Sequence, residues 1–155
     1  MKRKQGFALI LALLLTTLLL VLGLAFLSKQ SHRYRLARLS ADAVIAKNLA
    51  YAGMENTRAK IEHDLLFPPP DERYHDEYSY REEVTDLADP RVVGHYDVTI
   101  DRRWMDPPFE VIVIISEGRP VDSFASYRIR GELDVSSALG RNRYRFIRWE
   151  ENGVY

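Results

Sequence analysis

The sequence contains no cysteine. That excludes a disulfide framework, a thiol nucleophile and Cys-based zinc or iron–sulfur sites, and it leaves the redox compartment open. Nucleotide-binding signatures are missing too, since neither a P-loop nor a G-x-G-x-x-G stretch occurs. Ser116, Ser123, Ser136 and Ser137 lack the G-x-S-x-G setting of a nucleophile elbow. The adjacent acids Glu82-Glu83 and Glu150-Glu151 point to opposite faces of any strand that carries them. They therefore do not converge as a hydrolytic acid–base pair. His63-Asp64, Asp71-Glu72 and His75-Asp76-Glu77 bring imidazole and carboxylate groups close in sequence. Their spacing matches no metal loop, the EF-hand included, and they read as a solvated acidic segment. No enzyme, cofactor, metal or small-molecule substrate is expected.

Net charge is also missing, with 22 Lys+Arg against 22 Asp+Glu, but the balance hides a strong asymmetry. Residues 1–61 hold 10 basic and 2 acidic side chains, 62–97 hold 3 and 11, and 98–155 hold 9 and 9. Such a dipole suits subunits that pack on one another, or a basic neck above anionic headgroups. It does not suit nucleic acid, because no basic patch stands apart from the helix beside the membrane run. Arg128 with Arg130, and Arg141, Arg143, Arg145 and Arg148, read as solvated strand arginines, with a neighbour's acidic block as a further possible partner.

What the sequence does have is a 21-residue run, Phe7 to Leu27, with no charge and only Thr16 and Thr17 as polar side chains. As a helix it is roughly 31 Å long, the thickness of a bilayer's hydrocarbon core. It is too long for the apolar part of an ordinary secretory signal, and no A-x-A site follows it. Residues 1–6, with Lys2, Arg3 and Lys4, are too short and charged to fold alone. The basic flank Lys29, Arg33, Arg35 and Arg38 outnumbers them, so charge alone leaves orientation open.

No helix breaker follows the run. A stripe of Leu36, Leu39, Ala43, Ala46, Ala50, Met54, Thr57, Ile61 and Leu65 recurs at spacings of three and four, with Arg35, Arg38, Asp42, Asn56 and Lys60 on the other side. The spacing predicts one helix from about Phe7 to about Asp64: a membrane part over 7–28, then an amphipathic part over 29–66. Pro68-Pro69-Pro70 ends it.

Residues 67–91 read as an acidic, Pro-containing connection with a short helix or strand near Tyr78–Leu87. The antiparallel sheet is expected over 92–155. Gly94–Asp101 alternates as a half-buried strand, with Tyr96, Val98 and Ile100 inward. Phe109–Ser116 is apolar on both faces, which predicts a central strand covered on both sides. Glu117-Gly118-Arg119-Pro120 reads as a turn, Phe124–Val135 as an alternating strand and Arg143–Trp149 as a last one after a turn at 140–142. Trp104, Trp149 and Tyr155 read as core or edge-covering aromatics. The expected fold class is α+β: a long N-terminal helix packed on three or four antiparallel strands.

Lys2-Arg3-Lys4-Gln5-Gly6 followed by Phe7-Ala8-Leu9-Ile10-Leu11 resembles the start of the type IV pilin and pseudopilin superfamily. Leu49-Ala50-Tyr51-Ala52-Gly53-Met54-Glu55 and Val113-Ile114-Ile115-Ser116-Glu117-Gly118 are similar to stretches of PilX-type minor pilins. The resemblance implies cleavage of the Gly6–Phe7 bond by a membrane prepilin peptidase and methylation of the new amine on Phe7. It also implies a single-pass chain in the inner membrane, leader in the cytoplasm and C-terminal domain outside. The partners implied are that peptidase, an inner-membrane assembly platform and other pilin subunits, joined through the N-terminal helix into a cell-surface or periplasmic filament.

One position departs from the pattern. Leu11 stands where most pilins carry Glu, at the fifth mature residue. Losing that carboxylate removes a costly buried charge and also the attraction that draws a neighbour into register. This points to a minor subunit that begins or caps a filament, or sits in it at low copy number. The tip pseudopilin of type II secretion also tends to lack the Glu, but its inserted domain does not fit in 155 residues. Ala8, Ala12, Gly23 and Ala25 would let apolar helices approach closely, and Thr16 and Thr17 can return hydrogen bonds to their own helix. The alternative reading is an uncleaved single-pass envelope protein that scaffolds a membrane complex.

Overall fold

The computed structural model describes residues 3–65, 67, 76–136 and 144–154. Its first element is a helix, α1, over Arg3–His63. Five strands follow: β1 Glu77–Thr85, β2 Val92–Asp101, β3 Val111–Pro120, β4 Ser126–Asp134 and β5 Phe146–Val154. They form one sheet in the order β1-β2-β3-β4-β5, every neighbour antiparallel. The fold is α+β, a long N-terminal helix packed on an antiparallel sheet, with five strands where the sequence suggested three or four. The fifth is β1, inside the acidic connection.

Two compact units divide the chain, Met1–Arg38 and Leu39–Tyr155. The first is helical, and its side chains at Phe7, 9–29 and 31–38 are exposed. The helix begins at Arg3 rather than Phe7, so the bond between Gly6 and Phe7 is helical. Arg, Lys and Gln are good helix formers, and they extend α1 across a glycine that costs about 1 kcal/mol.

In the second unit, α1 lies on one face of the sheet. Ala46, Leu49, Ala50, Met54, Thr57 and Ile61 are buried against Tyr96, Val98, Ile100, Ile112, Ile114, Tyr127, Ile129 and Leu133. Leu36 and Leu39 belong to the same stripe but stay 65% and 52% exposed. Contact begins near Asp42, whose carboxylate accepts a hydrogen bond from Ser123 Oγ at 2.8 Å. Asp42 therefore meets the connection between β3 and β4, where the periodicity had set it on the far side.

Two strand boundaries and the cover of the central strand differ from the sequence reading. Residues 117–120 continue β3 instead of turning, paired from Gly94↔Pro120 to Asp97↔Glu117. The last strand is Phe146–Val154, beyond the expected Arg143–Trp149, and the expected turn at 140–142 lies outside the described residues. β3 is central as expected, but among the described residues a second layer covers only one of its faces. Ile112, Ile114 and Ser116 lie under the helix, whereas Val111, Val113 and Ile115 belong to the open face, where flanking side chains bury Val113 and shield Val111 and Ile115 in part. The run is apolar on both sides because neighbouring strands on each flank shield the middle strand on its open face as well.

Candidate functional site

The apolar surface of α1 is the most conspicuous feature of the chain. Every large side chain described from Phe7 to Leu27 is exposed, from 53% at Leu11 to 70% at Phe7. This is one helix long and apolar enough to cross a membrane by length and composition. An apolar surface of this extent has no cover among the described residues, and water is a poor solvent for it. Thr16 and Thr17 each donate a hydrogen bond to a carbonyl three residues back, Leu13 and Leu14, at 2.9 Å. Their hydroxyls are thus satisfied inside the helix and ask for no partner. A Cβ on Gly23 would meet nothing within 4 Å, so the helix is open to close approach there. Of the leader, Arg3 and Lys4 fall in the first turn of α1 and Lys2 lies outside the described residues.

The joint between helix and sheet is made by residues 49–55 of α1 and 113–118 of β3. Gly53 of α1 faces Ser116 of β3. A Cβ on Gly53 would be driven into Ser116 Oγ and sit 2.9 Å from the Tyr96 ring. Two residues along β3, Gly118 lies under the helix backbone, where a Cβ would strike the Ala46 carbonyl and the Ala50 amide and sit 2.8 Å from Leu49 Cβ. Small residues on both elements let them approach closely at this crossing. Ser116 Oγ is fully buried with no hydrogen-bond partner among the described residues.

Two polar clusters tie the sheet's edges to the helix, one on each side. At β5, Glu151 points toward α1 and accepts from Lys47 Nζ at 3.0 Å and Trp149 Nε1 at 2.8 Å, and from the hydroxyls of Tyr51 and Tyr127. Hydrogen bonds from Tyr127, Tyr51, Trp149 and Lys47, in that order, hold its carboxyl down at about 2. At β1, Glu82 accepts from Asn56 Nδ2 at 2.6 Å, and from Lys60 and the Tyr96 hydroxyl. Burial alone would raise Glu82, but donation by Lys60, Tyr96 and Asn56 outweighs it and lowers the group. Burial, and then the Glu82 carboxylate, push the Tyr96 hydroxyl up. Lys60 also lies 4.3 Å from the Tyr80 ring centroid, and Thr57 Oγ1 bridges Gly53 O at 2.6 Å and Tyr80 Oη at 2.8 Å. Lys47 is 44% exposed and Lys60 28%. These pairs fix the angle of the helix on the sheet more than they add stability. Asn56 and Lys60 therefore flank the buried stripe instead of opposing it, because their side chains are long enough to reach an edge strand.

No catalytic constellation is assembled among these groups. Glu82 and Glu83 fall on opposite faces of β1, and Glu150 and Glu151 on opposite faces of β5, as strand geometry requires. Asp71, Glu72 and His75 lie outside the described residues, as do Arg141, Arg143 and Tyr155. On the open face, Arg130 and Arg148 interleave with Glu132 and Glu150 at 2.9–3.9 Å. Arg81 pairs with Asp97 at 2.6 Å. Trp149 covers the β5 edge, 5.4 Å from Tyr51 and 5.0 Å from Phe146. Trp104 does not join the core. It is 47% exposed and stacks edge-on with Phe109 at 5.0 Å over a shallow hollow bordered by Val113, Arg130 and Glu132.

The clusters around Glu82 and Glu151 were absent from the sequence reading. Their signal was a Lys thirteen residues from another Lys on the helix, each opposite a lone Glu at an inward position of an edge strand. Compared with known proteins, the chain matches no family, no curated protein and no solved structure.

Proposed function

We propose that the chain is a non-enzymatic minor pilin or pseudopilin-like subunit. In this reading a prepilin peptidase cuts Gly6–Phe7, the Phe7 amine is methylated, and the chain waits in the inner membrane with its sheet domain outside. Subunits then leave the bilayer and pack through Phe7–Leu27 into a type IV pilus or a type II secretion-like filament.

One observation carries the reading. A single helix joins a fully exposed apolar stretch, directly behind a Lys-Arg-Lys-Gln-Gly leader, to a stretch that packs on an antiparallel sheet. The exposed stretch needs lipid first and neighbouring helices afterwards, and its small residues and self-satisfied threonines suit both. Leu11 supports a place at the start or end of a filament, because no carboxylate draws a further subunit's amine.

The scaffold reading has one observation of its own: α1 runs unbroken from Arg3 through Gly6 and Phe7, as an uncleaved anchor would. Expression beside a filament system, followed by shearing and immunoblotting, separates the two. A filament subunit appears in the sheared fraction at low copy, and a Gly6→Arg variant does not. A chain that stays in the membrane fraction while the major subunit assembles is a scaffold.

A further inference from the structure

The first acidic residue of the chain is Asp42, whereas Lys29, Arg33, Arg35 and Arg38 follow Leu27 within eleven residues. All four are exposed, with His32 and Tyr34 between them, and none is paired with another side chain among the described residues. Because α1 is continuous here, their positions around its axis are fixed. Taking Lys29 as zero, Arg33 lies at about 40°, Tyr34 at about 140°, Arg38 at about 180°, Arg35 at about 240° and His32 at about 300°. The cations encircle the helix. In height, Lys29 and Arg33 stand about 3 and 9 Å beyond Leu27, and Arg35 and Arg38 about 12 and 17 Å. Lys29 falls in the headgroup layer, Arg33 at its outer rim, and Arg35 and Arg38 within about a Debye length of it, with long stems that bend toward it. Tyr34, 76% exposed, adds the amphipathic ring favoured at that level.

We infer that Lys29, Arg33, Arg35 and Arg38 form a collar that gathers anionic phospholipid headgroups around the chain while it is held in the membrane. The inference rests on the reading of Phe7–Leu27 as a bilayer-spanning segment. A ring of charge suits headgroups, which approach from every side, better than one protein face, which covers a single arc. Four members of the chain's own acidic block, Glu62, Glu82, Asp89 and Asp97, are already paired with Arg58, Lys60, Arg91 and Arg81.

The test uses the full chain in phosphatidylcholine bilayers doped with spin-labelled phosphatidylglycerol or spin-labelled phosphatidylcholine. The immobilised fraction of each probe gives their relative association with the protein. Phosphatidylglycerol is expected to be preferred roughly fivefold at low salt, from about one cation's attraction per headgroup. The preference should fall toward unity in high salt and in the variant Lys29→Gln/Arg33→Gln/Arg35→Gln/Arg38→Gln. Equal immobilisation of both lipids by the inserted wild-type chain overturns the collar, and so does a preference that survives in the variant. Cross-linking from a Gln30→Cys thiol, unique in this chain, to the acidic block of a second copy, with no lipid preference, reassigns the cations to a neighbouring subunit. Release of the chain from bilayers by alkaline carbonate overturns the membrane reading itself.

Discussion

Replacing Gly118 by alanine tests how closely α1 and the sheet must approach. The new Cβ would meet backbone atoms of the helix, the Ala46 carbonyl and the Ala50 amide, together with Leu49 Cβ at 2.8 Å. No rotamer change relieves a clash with backbone, so the helix must lift from β3 and loosen the layer formed by Ala46, Ala50 and Met54. Overpacking of a well-filled interface costs about 1–3 kcal/mol. Alanine recovers roughly 0.5–1 kcal/mol of backbone entropy relative to glycine in a strand. Because backbone cannot yield, the cost belongs at the upper end of that range, and the net expectation is a loss of about 2 kcal/mol, equivalent to a melting temperature about 8 °C lower for a domain of this size. Gly131→Ala is the internal control. Its Cβ would meet Met54 Cε and the Phe146 ring at 2.5 and 2.8 Å, where a flexible Met can yield, so the cost should stay under about 1 kcal/mol. Gly23→Ala meets nothing within 4 Å and should leave the melting of the sheet domain unchanged. The assay is thermal melting of the full chain in one detergent, followed by near-ultraviolet circular dichroism. If Gly118→Ala melts with wild type, or Gly131→Ala costs more, the close approach at this crossing is not what holds the helix.

Further expectations concern the buried polar groups. Ser116→Ala removes a buried hydroxyl with no partner, so it should be neutral or stabilise by up to about 1 kcal/mol in chemical denaturation. Met54→Ala opens a cavity beside a fully buried layer and should cost about 2–5 kcal/mol in the same assay. The Glu151 carboxyl lies below its ordinary value of 4.5 in the folded chain, at about 2. Its stabilising contribution is thus complete above about pH 4.5 and disappears as pH falls toward about 2. Glu151→Gln should flatten the melting-temperature profile in that window, and an unchanged slope would count against the cluster.

The helix and inner strands were legible because their side chains obey a single period. Ala46, Ala50, Met54, Thr57 and Ile61 keep helical spacing, and Tyr96, Val98 and Ile100 alternate, and all eight are buried. The edge strands were obscured for one shared reason. β1 directs Tyr78, Tyr80, Glu82 and Val84 inward, and β5 directs Trp149 and Glu151, so an acid interrupts the apolar pattern in each. The helix compensates both with a lysine, Lys60 and Lys47. A pattern read along one strand cannot register a partner that lies on a helix twenty or a hundred residues away. The 117–120 segment misled for a different reason. Gly118 and Pro120 resemble turn residues, but here Gly118 makes room for the helix and Pro120 closes the strand. At the N-terminus, the apolar run was plain from its missing charge, and exposure of its large side chains in the folded chain accords with that reading.

The most direct test is the intact mass of the chain recovered from membranes after co-expression with a prepilin peptidase. The account predicts loss of Met1–Gly6, an N-terminus at Phe7 and the added mass of one methyl group, with processing abolished by a bulky residue at position 6. A chain that retains Met1, or is cut at any other bond, contradicts it.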